Sequence, residues 1–359
     1  MTFAVDCLYT ASALGRGKAE TLENLLAGRA PGMSEIGGDI PGRRIWFGSV
    51  PGELPPVGDP RHDTRTNRLL ALAVVESRAR LDALVARYGA DRVGIVLGAS
   101  NTGIDEAERF VDEWLDRGEK PAALDFSMIE LGTPAACLRK WLGTAGPAYV
   151  VSTACSSAAK AFGAARRLLA LGVCDAVVTG GVDGRCRFAM NGFHALGALS
   201  EGRCRPLAPD RDGINLGEGV ALFSLARGDG PVRLAGVGES SDAYHATAPD
   251  PEGLGAEAAM RAALADAGVA PSAVDYVNLH GTGTQANDAM EVKAVRRVFG
   301  AADLPRIEST KSLTGHCLGA AGAVEAAICW LLAAGGSVRT ALSNSFAFGG
   351  SNASVVLSA

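Results

Sequence analysis

The chain has 359 residues, of which 48% are hydrophobic and 20% charged, and its formal net charge is −5 at pH 7. This length is long for a single core, so we expect two domains or two fused halves, and the acidic balance argues against a nucleic-acid-binding protein. The start of the chain lacks the pattern of a signal peptide, no apolar run is long enough to span a membrane, and the eight cysteines form no C-x-x-C pair. We therefore expect a cytoplasmic protein with reduced cysteines.

Strand-like apolar runs alternate with alanine-rich helical patterns along the chain, which predicts an α/β architecture. The predicted strands are 92–97, 149–153, 176–179, 220–225, 232–237, 276–279, 306–309 and 353–357. The predicted helices are 67–88, 156–171, 256–267 and 320–334. A turn-rich joint at 227–231 divides the chain into a first half, 1–226, and a second half, 232–359.

The second half repeats one feature of the first. The apolar run and Ser-Thr pair that precede Cys155 are matched by a similar run and Ser-Thr pair before Lys311, and Gly/Ala/Ser-rich helical patterns follow both. A duplicated fold would bring the ends of both strands to a shared centre.

Cys155 lies where a predicted strand turns into a predicted helix, in the segment Ser-Thr-Ala-Cys-Ser-Ser. The positive end of a helix dipole favours a thiolate, which is the nucleophilic form of cysteine. Free cysteines are more often packed core residues. From this segment alone, a reactive and a structural Cys155 both remain open.

Two histidines and a lysine lie at other strand-to-helix corners, where open α/β sheets build their sites. His280 ends a strand and precedes Gly-Thr-Gly-Thr, while Lys311 and His316 are predicted at the start of the helix Cys317 to Ala334. A lone histidine after a strand is usually satisfied by backbone groups, but three such residues together favour a site. Glu325 lies in the same apolar helix, and it either pairs with a cation such as Lys311 or faces water.

Phe348 precedes two glycines in a loop that joins two late strands. The glycines allow a close backbone approach, so N–H groups of this loop could form an oxyanion site if the loop faces Cys155. A metal site built from His280 and His316 is possible, but no ligand-spacing motif supports it. A partial dinucleotide-loop pattern at Gly253 follows no strand, and no phosphate-binding loop motif occurs.

Taken together, these motifs resemble those of the elongating β-ketoacyl-acyl-carrier-protein synthases, members of the thiolase-fold superfamily. The resemblance is carried by Thr-Ala-Cys155-Ser-Ser, His280-Gly-Thr-Gly-Thr, Ser-Thr-Lys311-Ser-Leu-Thr-Gly-His316 and Ser-Phe-Ala-Phe348-Gly-Gly-Ser-Asn. It implies a five-layer αβαβα fold with two pseudo-symmetric halves and an acyltransferase that condenses acyl chains in fatty-acid or type II polyketide synthesis. The short length and the segment Ser-Ser-Asp-Ala-Tyr-His resemble synthases of aryl polyene clusters.

The resemblance also implies roles for the site residues. Cys155 would hold the acyl group as a thioester, and His280 and His316 would stabilise the enolate formed when malonyl loses CO₂. Lys311 and Glu325 would maintain the charge pattern of the site. The N–H groups of Cys155 and Phe348 would form the oxyanion hole, with the Phe348 ring as a gate. On this basis His316→Ala should keep self-acylation and lose decarboxylation.

The implied substrates and partners follow from the same resemblance. Thr282 and Thr284 would bind the phosphopantetheine arm of an acyl carrier protein, and Phe193 would line the acyl tunnel. The enzyme would need no metal and no cofactor of its own. The carrier protein would dock on a basic patch, for which the candidates are Arg61, Arg65 and Arg68. The partner subunit would be a second copy or a chain-length-factor-like protein, with no nucleic acid or membrane involved.

Two other functions were weighed against condensation. A non-condensing partner subunit would usually lack the cysteine, so Cys155 and both histidines argue against it. A thiol hydrolase using Cys155 and His280 has no nucleophile-elbow motif to support it.

Overall fold

The structure is a computed structural model that describes residues 2–359, so Met1, the first residue of the predicted first half, lies outside the described residues. The strands within this range are β1 (Phe3–Ser12), β2 (Gly15–Arg16), β3 (Met33–Ile40), β4 (Arg43–Gly48), β5 (Val93–Gly98), β6 (Ala148–Val151), β7 (Ala176–Asp183), β8 (Leu216–Gly217), β9 (Gly219–Arg227), β10 (Arg233–Ser241), β11 (Tyr276–Asn278), β12 (Arg306–Glu308), β13 (Thr340–Ala347) and β14 (Ser351–Ser358). The α-helices are α1 (Gly17–Leu26), α2 (Arg65–Tyr88), α3 (Ile104–Arg117), α4 (Thr133–Leu142), α5 (Ser157–Ala170), α6 (Arg187–Ala195), α7 (Leu254–Ala267), α8 (Gln285–Phe299), α9 (Lys311–Thr314) and α10 (Ala321–Ala334).

The main sheet consists of two half-sheets with the same connectivity. From its outer edge inward, the first has the order β6-β5-β7-β9-β1 and the second has the order β12-β11-β13-β14-β10. In each half-sheet the two outer pairings are parallel and the next two are antiparallel. The half-sheets meet where β1 pairs with β10. The two pseudo-symmetric halves expected from the sequence are therefore confirmed.

The helices complete a five-layer arrangement. α5 and α10 pack against each other and against strands of both half-sheets, so they form the central layer. α2 and α4 cover the outer face of the first half-sheet, while α7 covers the second and contacts α8. Separate apolar clusters fill the central layer and the two outer layers. This is the predicted αβαβα order.

Glycines in the first half-sheet allow α5 to approach it closely. A Cβ atom on Gly98 would lie 2.2 Å from the backbone nitrogen of Ala158, and one on Gly181 would lie 2.7 Å from the Ala158 Cβ atom. Real Cβ atoms do not come so near, so larger residues would push α5 away from the sheet. The start of α5, and with it the Cys155 corner, is therefore held directly over β5 and β7.

The last long helix begins close to the predicted residue 320, but the expectation that it begins at Cys317, with Lys311 and His316 at its start, is wrong. Lys311 belongs to the separate four-residue helix α9, His316 lies in the loop that follows, and α10 begins at Ala321. Gly315 and Leu318 adopt positive φ angles of 69° and 50°, which interrupt a helical path. The loop between α9 and α10 is therefore irregular, and it carries His316 on its own backbone.

The eight predicted strands and four predicted helices are all present, with ends that differ by a few residues. The sequence analysis missed β1, the hairpin β3–β4 and several helices, including α3, α6 and α8. Within residues 2–359, no helix combines the length and apolar character needed to cross a membrane.

Candidate active site

Cys155 lies in a sharp turn between β6 and α5. Ala154, just before it, has a φ of 51°, a left-handed conformation that is uncommon for alanine. The Ser157 hydroxyl accepts the Thr153 N–H at 2.9 Å and donates to the Ala154 carbonyl at 2.6 Å, which closes the turn. The turn aims the Cys155 side chain out of the end of the sheet, although only 7% of the residue is exposed.

The Cys155 sulfur is in contact with a histidine. His316 Nε2 lies 2.9 Å from Sγ, and the backbone N–H groups of Phe348 and of Cys155 act to lower the pKa of the thiol. Burial raises the pKa of the thiol to about 12, against the opposing effects of Lys311 and the two N–H groups. Desolvation therefore opposes the effect that the helix N-terminus has on the thiol. The thiol needs a base, and His316 is the nearest base.

His280 and His316 face each other as neutral rings. Their centroids are 5.3 Å apart and their planes are nearly perpendicular, at 83°. Burial lowers the pKa of both imidazoles well below the usual range, and the charge of Lys311 lowers the pKa further. A neutral imidazole has one N–H donor and one acceptor. The pair can therefore accept a proton from Cys155 and donate hydrogen bonds to a substrate oxygen.

Glu291 on α8 holds the His280 loop, and the sequence analysis missed it. Its carboxylate accepts the His280 N–H at 2.8 Å and the Gly281 N–H at 2.7 Å, and it also accepts from the Asn344 amide at 3.2 Å. Glu291 is fully buried, and burial raises its pKa to about 7 despite these donors. Its role is to position His280.

Lys311 and Glu325 form a buried ion pair. Both side chains are almost completely buried, and the ammonium donates to Glu325 Oε1. The structure thus decides between the two alternatives for Glu325: it pairs with Lys311 and does not face water. Burial raises the Glu325 pKa, and Lys311 opposes that rise.

Two cavities meet at Cys155. The first, about 220 Å³, has His280, His316, Thr282 and Thr284 in its walls, with the two threonine hydroxyls 2.9 Å apart. The second, about 440 Å³, is lined mainly by apolar side chains. Several of them belong to α6, and the loop that follows β5 and the residue Leu318 also contribute to the wall.

Phe193 and Phe348 lie in the walls of both cavities and separate them. Their rings stack with centroids 5.5 Å apart. Phe348 begins the turn between β13 and β14, in which Gly349 and Gly350 have φ angles of 79° and 73°. Because these conformations favour glycine, the turn can bring the Phe348 N–H to the sulfur.

The three arginines predicted to dock the carrier protein lie outside the two cavities, and each forms an ion pair with a carboxylate. Arg61 binds Asp59 and Arg68 binds Asp63, both at the surface. Arg65 binds the buried Glu218 through two hydrogen bonds of 2.5 Å, so it has a structural role and is not a free docking cation. Among the described residues, the walls of the two cavities contain none of these three arginines.

The site has a donor set that could ligate a transition metal. One atom each from Cys155, His280 and His316 lies within 4.8 Å of the others. The sequence contained no spacing motif for such a set because the three residues come from three separate segments of the chain.

Known protein families match most of the chain. Residues 60–229 match the model of the β-ketoacyl synthase N-terminal domain, and residues 232–343 match that of the C-terminal domain. A 3-oxoacyl-[acyl-carrier-protein] synthase 2 of Staphylococcus aureus is 36% identical over 291 residues, 75% of this chain and 71% of the relative. Nodulation protein E of Rhizobium sp. (strain N33) is 35% identical over 327 residues, which covers 80% of this chain and 81% of that protein.

Solved structures match the whole fold. A ketosynthase of Xenorhabdus doucetiae, solved in complex with its chain length factor, superposes with a TM-score of 0.93 and 39% identity, covering 99% of this chain and 98% of that one. The ishigamide ketosynthase/chain length factor superposes with a TM-score of 0.89 and 27% identity, covering 100% of this chain and 99% of that one.

Proposed function

Because this chain belongs to the β-ketoacyl synthase family, and is thus a condensing acyltransferase, we propose that its two cavities hold the two substrates and that Cys155 carries the acyl group between them. The observation that supports this assignment is the position of Cys155 in the walls of both cavities. A hydrolase would need a path for water and no second pocket. A non-condensing subunit would need neither the cysteine nor the two histidines.

Acyl transfer begins with the neutral thiol. His316 Nε2 takes the proton from Cys155, and the sulfur attacks the carbonyl carbon of the acyl thioester. We assign the stabilisation of the resulting oxyanion to the N–H groups of Cys155 and Phe348, because both residues lie in the walls of both cavities. The carrier thiol leaves with the proton that His316 holds, and the acyl group remains on Cys155.

Condensation uses the first cavity. Malonyl thioester bound there loses CO₂, and its thioester oxygen takes the negative charge of the enolate. His280 and His316, both neutral, donate hydrogen bonds to that oxygen from Nε2, because Nδ1 of both rings is buried. For this step the proton of His316 moves from Nδ1 to Nε2 by exchange with solvent after acyl transfer. The enolate carbon attacks the acyl-Cys155 carbonyl, the carbon–sulfur bond breaks, and the β-ketoacyl thioester leaves. A proton from solvent returns Cys155 to the thiol.

We assign the delivery of both substrates to the phosphopantetheine arm of an acyl carrier protein. Thr282 and Thr284 lie in the wall of the first cavity, where their hydroxyls can bond the amides of such an arm. The Staphylococcus aureus relative is named for this carrier. The pathway is fatty-acid or type II polyketide synthesis, including the aryl polyene kind, in the cytoplasm, with functional halves 1–226 and 232–359.

A second subunit covers one face of the chain in this proposal. β6 is the outer edge of its half-sheet, and Tyr149 on it is 37% exposed. Phe188 and Leu196, which line the second cavity, are 64% and 52% exposed. Exposed edge strands and apolar patches mark sites of association. The two similar ketosynthases each have a chain length factor, so either such a factor or a second copy of this chain fits here.

His316→Ala tests the proposed division of labour. Since His316 contacts Cys155 and also faces the first cavity, we now expect the variant to lose both self-acylation and malonyl decarboxylation, each by about 10²-fold or more. Both are measured on the purified protein, by intact mass for the acyl adduct and by release of labelled CO₂. His62→Ala, outside both cavities, is the matched control. Full decarboxylation by His316→Ala would contradict the role assigned to it.

Docking of the carrier protein on surface arginines would make its affinity depend on the salt concentration. If Arg61 and Arg68 contact an acidic carrier protein, its affinity should fall several-fold between about 0.05 and 0.5 M salt. Arg61→Glu and Arg68→Glu should weaken binding at low salt, measured by calorimetry. Arg29→Glu, which replaces another arginine paired with a surface carboxylate, is the comparison variant. Affinity that is independent of salt would refute an electrostatic docking patch.

A further inference from the structure

Asn101 is a buried amide without a partner in a mainly apolar cavity. It lies in the wall of the second cavity, beside Phe188, Phe193 and Leu318, and is only 6% exposed. Its Nδ2 atom forms no hydrogen bond with any other residue in the range 2–359. A buried amide costs free energy unless something pairs with it. Nothing in acyl transfer or condensation, as derived above, uses this group.

The loop that carries Asn101 in the first half of the chain resembles the loop that carries His280 in the second half. Ser100 stands two residues after the end of β5, and His280 stands two residues after the end of β11, the equivalent strand. In both loops a buried carboxylate holds two consecutive N–H groups. Asp183 accepts those of Ser100 and Asn101 at 2.9 Å each, as Glu291 accepts those of His280 and Gly281.

The two loops therefore occupy equivalent positions in the two halves of the chain, but they carry different side chains. The His280 loop serves the first cavity, and the Ser100–Asn101 loop serves the second. Because Asp183 fixes the backbone of Asn101, the amide can move only by rotation about its side-chain bonds. The outer side-chain bond of asparagine turns over a broad range, so either end of the amide can face the cavity.

We propose that Asn101 is a specificity-determining residue that makes this enzyme prefer acyl groups bearing an oxygen, such as a keto or hydroxyl group, over saturated hydrocarbon chains. The inference rests on the proposed function, since it assigns the second cavity to the acyl group on Cys155. An oxygen in the chain accepts the Asn101 N–H. A saturated chain offers no acceptor, so the donor stays unpaired when such a chain is bound. The aromatic walls supply apolar contact to either kind of chain.

The test compares acyl donors that differ by one oxygen. Purified protein, with its partner subunit where one is required, is incubated with eight-carbon acyl pantetheine thioesters that are saturated or carry one keto or hydroxyl oxygen at C3, C5 or C7. The rate of Cys155 acylation is followed by intact mass. We expect at least one oxygenated donor to react about tenfold or more faster than the saturated one. In Asn101→Leu this ratio should fall to near one, because the donor that pairs with the oxygenated chain is gone.

Two further variants make the result decisive. Phe126→Leu replaces an exposed aromatic residue outside both cavities, so it should keep the wild-type ratio. Asn101→Ala repeats the test with a smaller side chain if the leucine is not accommodated, and malonyl decarboxylation reports that either variant is folded. Equal ratios in wild type and both Asn101 variants would overturn the role of Asn101 while leaving the proposed function intact. If no donor acylates Cys155, the proposed function itself fails.

Discussion

Cys155→Ala is expected to form no acyl adduct and to lose condensation by about 10³-fold or more, the loss typical of removing a covalent nucleophile. The variant should still bind malonyl thioester, because His280, His316 and the threonines of the first cavity remain in place. Residual decarboxylation without a condensed product is therefore the expected outcome. Intact mass after incubation with acyl donor, and product analysis after addition of malonyl carrier protein, measure the two effects.

The matched control is another buried cysteine. Cys174 is completely buried in the central apolar cluster, and neither cavity includes it among the described residues. Cys174→Ala should keep the adduct and the activity. An adduct of undiminished yield on Cys155→Ala would show that the acyl group is carried elsewhere, and the mechanism would have to be abandoned.

The pKa values of Cys155 and of the two histidines predict how the rate of self-acylation depends on pH. Because burial raises the pKa of Cys155 to about 12 and lowers the pKa of both histidines, none of these groups changes charge between about pH 6 and 8. Self-acylation, which uses Cys155 and His316, should thus vary little over this range. Condensation also uses His280, whose loop is held by Glu291, and burial raises the pKa of Glu291 to about 7, so this expectation is confined to self-acylation. A rate that rises tenfold per pH unit would indicate attack by a pre-formed thiolate, without His316 as base.

The α/β class and the corner positions could be predicted from the sequence because they depend on local patterns, whereas the five-layer order was implied by the family resemblance. Apolar runs that alternate with alanine-rich segments define the strands and helices of an α/β fold, and the Ser-Thr echo before Cys155 and Lys311 marks the equivalent edge strands β6 and β12. The hairpin β3–β4 escaped prediction because most of its first strand is polar and exposed. β1 carries mixed residues, yet it is mostly buried because it is the inner strand of the first half-sheet and pairs with β9 and β10.

The electrostatics of the site depend on residues distant in sequence. The effect of a helix N-terminus on the pKa of a thiol can be predicted from the neighbouring residues. The desolvation that raises the pKa of Cys155 comes from residues distant in the sequence, so it could not be predicted in this way. Glu291 and Asp183 look like ordinary acidic residues in the sequence. Only the fold shows that each holds two N–H groups of a loop at the site.

Lys311→Met is expected to cause the largest loss of stability. It leaves Glu325 buried without its cation, which costs about 3–5 kcal/mol for a buried ion pair. The deficit should depend on pH with a definite sign. Burial already raises the Glu325 pKa, and removing Lys311 raises it further, so the neutral carboxyl is tolerated in the folded state. The variant should be close to wild type near pH 4 and become less stable as pH rises toward 8. Urea unfolding at fixed protein concentration measures this.

The double variant Lys311→Met/Glu325→Met separates stability from chemistry. Replacing both members of a buried pair with apolar residues of similar size is often neutral or stabilising, so the unfolding free energy should return to near the wild-type value at pH 8. Activity should not return, because the Lys311 charge that lowers the pKa of Cys155, His280 and His316 is gone. Recovery of both properties would show that the pair only fills space. Recovery of stability alone would show that activity needs the positive charge of Lys311. The role of Glu325 would then be to stabilise that buried charge.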